Sequence, residues 1–236
     1  MPKTVGVALR CLNFGNSSQV VHFLTPGRGF LGLLAKGVWR PRNPMFEGGF
    51  DAGRTYELVY IPRPRSGLGL VTEAQEIECP RRLARDRARI ADAFVVLAFA
   101  ACFAAPEQAD AELFELVRNA LRALDAGSEE ALLLFLRACL GGAGVLPRLD
   151  ACAKCGALLR EAARCGFSHE AGGILCGRHP AQADRLLSGA VLRAARGEDF
   201  SDGAARGAAV RFLMDWANHV LAFRCRVLEY PFYLKM

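Results

Sequence analysis

Hydrophobic and polar positions change rhythm three times along the chain. Through residue 78 short apolar runs alternate with turn clusters. Val5–Leu12, Gln19–Leu24, Phe30–Val38, Arg54–Ile61 and Leu68–Ile77 are rich in Val, Leu, Phe and Tyr, and Thr55–Tyr60 partly alternates as a half-buried strand does. Asn13–Ser18, Pro26–Gly29 and Pro62–Gly67 carry the turn residues between them. Five short strands in so little chain must hide their edges by closing or sandwiching, and a small barrel of the OB-fold type is the economical answer.

After Cys79-Pro80 the period becomes helical. Arg81, Arg82, Arg85, Arg87 and Arg89 lead into an uncharged run, Ala93–Ala105, whose helix is apolar all round and is expected at the centre of a helical domain. Glu107–Ala126 and Ser128–Leu140 read as two more helices, the second opened by Ser128 as cap with Glu129 and Glu130 behind it. Gly141–Gly144 and Pro147 end it. Residues 148–182 lose the period and hold four Cys, two His and five Gly. Helical signals return from Asp184, and a last helix of about Ala204–Arg224 puts Val210, Leu213, Met214, Ala217, Val220 and Leu221 on one stripe. The expected architecture is α+β: an N-terminal OB-fold barrel, 1–78, then an α-helical domain, 79–236, with a zinc-binding insert at 148–182.

Composition narrows the class. Apolar residues at 52% and charged residues at 23% exclude a disordered chain. Thirty Lys+Arg against 24 Asp+Glu leave a net charge of +6, which permits a nucleic-acid partner. Met1-Pro2-Lys3 opens no secretory signal and Ala93–Ala105 is too short to cross a bilayer, so the expectation is a cytoplasmic protein with no membrane partner. Nine cysteines, an odd number without a signal, favour reduced thiols over a disulfide framework.

Four of those cysteines lie in the insert. Cys152, Cys155, Cys176 and His179 form C-x2-C-x20-C-x2-H. Two-residue spacings let one tight turn present two ligands, and four such ligands complete a tetrahedral zinc site with no open position, which makes it structural. Cys165 or His169 could replace His179, although paired knuckles prefer His179. A redox CxxC is the competing use, without the strand–helix context such a motif needs. Cys11, Cys79, Cys102, Cys139 and Cys225 stand alone in apolar segments and read as small hydrophobes.

Two stretches of the barrel half hold basic residues without acids. Arg28, Lys36, Arg40 and Arg42 fall between 28 and 46 with no acid and with Trp39 among them, and Arg63 and Arg65 sit in the loop before the fifth strand. OB-folds take oligonucleotides on strands 2–3 and on the 1–2 and 4–5 loops, where cations meet phosphates and aromatics meet bases. The alternative for these residues, and for the arginines at 81–89, is a solvated basic surface. Phosphate-binding, dinucleotide, metalloprotease and nucleophile-elbow motifs are missing and the carboxylates are scattered, so no enzyme is expected.

The order of parts resembles the RecO family of bacterial recombination mediators. Val7–Arg10, Phe14-Gly15, Val20–Thr25 and Leu34–Gly37 carry the likeness in the barrel, followed by Leu68–Ala74. Leu149–Gly156, Phe167-Ser168 and Gly172–Cys176 carry it in the insert. The resemblance implies binding of single- and double-stranded DNA, promotion of annealing, and help in loading recombinase onto DNA coated by single-strand-binding protein (SSB). It implies RecR and the acidic SSB C-terminal tail as partners, and a nucleoid-associated location. It assigns DNA contacts to Lys36 and Arg40, and extends them to Arg42. The family usually has Cys where His179 stands. Without the resemblance, a zinc-ribbon and OB adaptor for protein or RNA fits the same residues. Phe212, Trp216 and Phe223, beside Arg211, Arg224 and Arg226, form either core or a cation-rimmed groove for such a tail.

Overall fold

A computed structural model describes residues 1–40, 48–62, 68–159 and 164–221. β1 (Lys3–Phe14) is long enough to pair with two neighbours. Its first half, Lys3–Val7, runs antiparallel to β4 (Thr55–Ile61), and its second half, Val7–Phe14, antiparallel to β2 (Ser18–Thr25). A register shift between Ala8 and Arg10 marks where the strand passes from one partner to the other, as a bulge that bends it would. β3 (Gly29–Ala35) pairs with β2, touches β5 (Gly69–Glu78) in parallel at Leu33 and Leu34, and β5 returns along β4. The order β1-β2-β3-β5-β4 closes into a barrel, the OB-fold arrangement.

Alternate residues of these strands fill the interior. Val21, Phe23, Leu33 and Leu58 are wholly buried with Tyr56 and Phe50, whose rings meet edge-on 4.9 Å apart. Cys11 faces the same core, and burial pushes its thiol up to about 12, so it behaves as a small hydrophobe. Cys102 departs from that expectation because it is disulfide-bonded.

The helices start later than the sequence pattern predicts. β3 ends at Ala35, before the expected Val38, because Gly37 turns the chain with φ 71°. Residues 83–85 form a single 3-10 turn, and α1 (Arg87–Phe103) begins where the Asp86 carboxylate accepts from the amides of Ala88 and Arg89. α1 packs on α2 and β1 but leaves Phe94 exposed, so it is not buried all round. α2 (Ala111–Ala126) is capped by Asp110. Residues 107–110 stay outside it, because the preceding segment lies on the β2–β3 turn, where a Cβ on Gly29 would fall 2.3 Å from the Ala105 and Gln108 carbonyls. Ser128 does not cap α3 (Ala131–Gly142). Its N–H bonds the Ala123 carbonyl behind a left-handed Gly127, finishing α2.

By packing, residues 1–129, with the barrel, α1 and α2, form one unit, and a second unit begins at Glu130. In the second, β6 (Arg164–Ser168) lies between β7 (Gly173–Leu175) and β8 (Arg185–Ser188), followed by α4 (Gly189–Arg196) and α5 (Gly203–Val220). The sequence pattern misses all three strands, which are only three to five residues long. Phe212 and Trp216 of α5 pack edge-on against Phe167 at 4.8 and 5.6 Å, and the Trp216 indole donates to the Val145 carbonyl at 2.7 Å. These two rings are therefore core and line no groove. Phe223, Arg224 and Arg226 lie outside the described residues.

One carboxylate ties the last barrel strand to α2. Glu78 accepts from Arg118 twice, at 2.6 and 3.1 Å, from the Thr55 hydroxyl at 3.2 Å, and from Arg122. The Arg118 hydrogen bonds outweigh partial burial and, with those of Arg122, hold the Glu78 carboxyl down at about 2 against an ordinary 4.5. A depressed folded pKa means stability that is complete above pH 4.5 and lost as pH falls through about 2. Glu78→Gln should cost about 1–3 kcal/mol at neutral pH, with the difference from wild type closing over that acid window. Urea denaturation at a series of pH values measures it, and a pH-independent difference would contradict this account.

Candidate metal centre and nucleic-acid interface

The insert is built from two tight turns held side by side. In the first, the Gly156 amide bonds the Cys152 carbonyl at 2.8 Å, and Gly156 takes the φ of 73° that lets the loop close behind Cys155. In the second, the His179 amide bonds the Cys176 carbonyl at 2.9 Å. The Ala153 amide donates to the Ile174 carbonyl, and Ile174 to Arg148, so the first turn is laced to β7, which feeds the second. Arg196, at the end of α4, donates to the Leu149 and Leu159 carbonyls on either side of the first turn.

These turns bring four side chains to one point. The ligand atoms of Cys152, Cys155, Cys176 and His179 all lie within 4.8 Å of one another. Cys155 and Cys176 sulfurs are 3.7 Å apart, and His179 Nδ1 stands 3.6 Å from Cys152 Sγ and 3.4 Å from Cys176 Sγ. A tetrahedral ion with metal–sulfur bonds of about 2.3 Å and a metal–nitrogen bond of about 2.0 Å needs edges of roughly 3.8 and 3.6 Å. The group fits such an ion.

The electrostatics favour deprotonated sulfur. Burial raises the Cys152 thiol, but hydrogen bonds from the backbone at Cys176, Cys155 and Lys154 and from the Cys155 side chain outweigh it and bring the thiol down to about 5. The Arg178 amide lowers Cys176, and Cys176 and Cys152 in turn raise His179. The Arg178 guanidinium also reaches Cys155 Sγ at 3.5 Å. Neither competing ligand belongs to the group. Cys165 is buried in β6, where desolvation raises its thiol. His169 is engaged by Asp184, which accepts from its backbone at 2.6 Å and lies 3.2 Å from its ring. The sequence reading missed Arg178 and Arg196. Arg178 adjoins a candidate ligand, but nothing local marks Arg196, whose two carbonyl partners are 37 and 47 residues away.

On the barrel, the expected cations separate. Lys36 and Arg40 are exposed on the turn after β3, and among the described residues no carboxylate pairs with either. Arg28 is exposed but ion-paired with Glu107 at 3.0 Å. Arg42, Arg63 and Arg65 lie outside the described residues. Arg10, which the sequence reading passed over, is exposed on β1 opposite His22. Arg89 of the arginine run pairs with Asp86 at 3.3 Å. Among the described residues no helix is long and apolar enough to cross a membrane.

A family model for the C-terminal part of recombination protein O matches residues 84–196. The chain is 35% identical over 176 residues to the DNA repair protein RecO of Anaeromyxobacter sp. (strain K), covering 74% of this chain and 68% of that one. The chain belongs to the RecO family. The RecO proteins of an Exiguobacterium species and of Moorella thermoacetica are 28% and 32% identical over 191 and 176 residues, covering 80% and 72% of this chain and 74% and 63% of theirs. The RecO model runs from Ala84 to Arg196, so it takes in all four clustered side chains and ends on the arginine that braces the first turn.

Proposed function

We propose that this RecO-family protein is a non-enzymatic mediator of DNA repair. It binds single- and double-stranded DNA, promotes annealing, and helps load recombinase onto SSB-coated DNA. RecR and the SSB C-terminal tail are its proposed protein partners, and the nucleoid is where these substrates put it. The observation that carries the DNA-binding part is the turn after β3. It presents Lys36 and Arg40, exposed and unpaired among the described residues, on a closed OB barrel in a chain whose relatives are DNA repair proteins. Flexible cations without acidic partners are what phosphate contacts require. Arg42, Arg63 and Arg65 are proposed to extend this surface, and Arg28 joins it once it exchanges Glu107 for a phosphate.

The ion proposed for the insert is zinc, held by Cys152, Cys155, Cys176 and His179 through Nδ1. Three thiolates and an imidazole suit its borderline softness, and Zn²⁺ would supply structural cross-linking with no open site for chemistry. Three sulfurs leave a bound Zn²⁺ site one negative charge in excess, which Arg178 offsets.

Two experiments test the reading. Cys152→Ser should lose the full equivalent of zinc and lower the unfolding temperature, while Cys165→Ser and His169→Ala keep the metal and Arg178→Ala weakens its binding about tenfold. Metal analysis of the reduced proteins decides this, and a full equivalent in Cys152→Ser sinks the ligand set. For DNA, Lys36→Glu with Arg40→Glu should weaken binding to all sequences alike and flatten the salt dependence by about one unit of slope per lost contact. Equal affinity of the folded double variant and wild type at low salt would remove the site. Strand annealing with and without SSB separates a mediator from an adaptor.

A further inference from the structure

The outer wall of the barrel carries an apolar row that the phosphate contacts do not explain. Strand register puts Leu12 opposite Val20, Val20 opposite Leu34, Leu34 opposite Leu70 and Leu70 opposite Ile61. Their chain neighbours Val21, Leu33, Val71 and Tyr60 point into the core, so this row points outward. Leu12 and Ile61 are exposed, and the three between are half-buried. Two aromatic rings stand at the end of the wall where β1 turns into β2. Phe14 is 59% exposed and Trp39 is 48% exposed.

The fold holds the Trp39 ring in place and anchors the loop that carries Phe14. The Trp39 amide bonds the Ser17 carbonyl at 3.2 Å and the Gly37 amide bonds the Ser18 hydroxyl at 3.3 Å, fastening the turn after β3 to the β1–β2 loop beside Phe14. The Trp39 ring lies against Gly49, where a Cβ would fall 2.2 Å from Cη2. Gly49 thus gives the indole a fixed seat and leaves the rest of the ring to solvent. Arg10, Lys36 and Arg40 surround this end, and no acidic residue occurs between Arg28 and Phe46 in the chain.

We propose that Phe14 and Trp39 stack unpaired bases, with the aliphatic row beneath the strand, so that this wall selects single-stranded nucleic acid over duplex. The inference rests on the phosphate-binding role proposed for Lys36 and Arg40. An aliphatic row alone would also fit a protein. Exposed rings, one of them seated on Gly49, among unpaired cations favour bases, whose faces stack on any aromatic while their phosphates meet the cations. In a duplex the base faces are already stacked on one another, so the rings gain nothing from it.

The test uses the full chain, a deoxythymidine oligonucleotide and a duplex of equal length. Phe14→Ala and Trp39→Ala should each weaken the single strand roughly fivefold to hundredfold, with duplex affinity and both salt slopes unchanged. Gly49→Ala, which displaces the indole, should act in the same direction. Wild-type tryptophan emission should be quenched by the oligonucleotide and the quenching should vanish in Trp39→Ala, because the other tryptophan, Trp216, is only 6% exposed. If the Phe14→Ala, Trp39→Ala double variant keeps wild-type affinity for the single strand, or loses single strand and duplex equally, the proposal is wrong. Loss on charge reversal at Lys36 and Arg40 would then leave the phosphate-binding reading standing. If wild type binds neither nucleic acid, both fail together.

Discussion

Everything at the proposed nucleic-acid surface depends on β1 pairing with two strands at once. A twelve-residue strand that serves β4 with its first half and β2 with its second leaves the barrel no free edge on that side. Closure then dictates facing. Once Val21, Phe23, Leu33 and Leu58 are committed to the interior, the intervening residues turn to the outer face of the barrel. Arg10, Leu12 and Phe14 emerge on one wall because the register shift between Ala8 and Arg10 resets the alternation just before them. The cations and rings proposed to meet DNA are thus placed by the packing of residues buried away from that surface.

The insert is held together differently. Its strands are three to five residues long and bury few side chains, chiefly Cys165, Phe167, Ile174 and Leu175. So little apolar area cannot offset the ordering of a glycine-rich loop. Hydrogen bonds supply the geometry, through the lacing of the first turn to β7 and the Arg196 guanidinium on two carbonyls. The four-atom cluster supplies the remaining constraint when an ion fills it. The burial of Phe212 and Trp216 against Phe167 adds a firm floor on the other side of β6, which is why those rings serve the core.

The Glu78 knot couples the barrel to α2 inside the first unit. It shows how a charged group can be kept at low cost. One carboxylate with four side-chain donors has its hydrogen-bonding capacity filled, so partial desolvation is compensated. Scattered in sequence at 55, 78, 118 and 122, these partners carry no local signature.

What the sequence by itself determined is whatever rests on near neighbours. Alternation and turn clusters predicted five barrel strands at close to their observed bounds, and two-residue spacings picked out Cys152, Cys155, Cys176 and His179, because one tight turn suffices to aim each pair. Tertiary structure decided the rest. Helix starts moved to just after Asp86 and Asp110 because side-chain capping and the docking of the β2–β3 turn set them there. Ser128 finished α2 because Gly127 before it offered the left-handed turn. His179, not His169, stands beside the three cysteines, because Asp184, just before β8, already holds His169. Arg28 met Glu107, 79 residues on, while Lys36 and Arg40 stayed unpaired among the described residues. Such partners are brought together by packing over long chain separations, and no periodicity or spacing in a single sequence encodes which distant groups will meet.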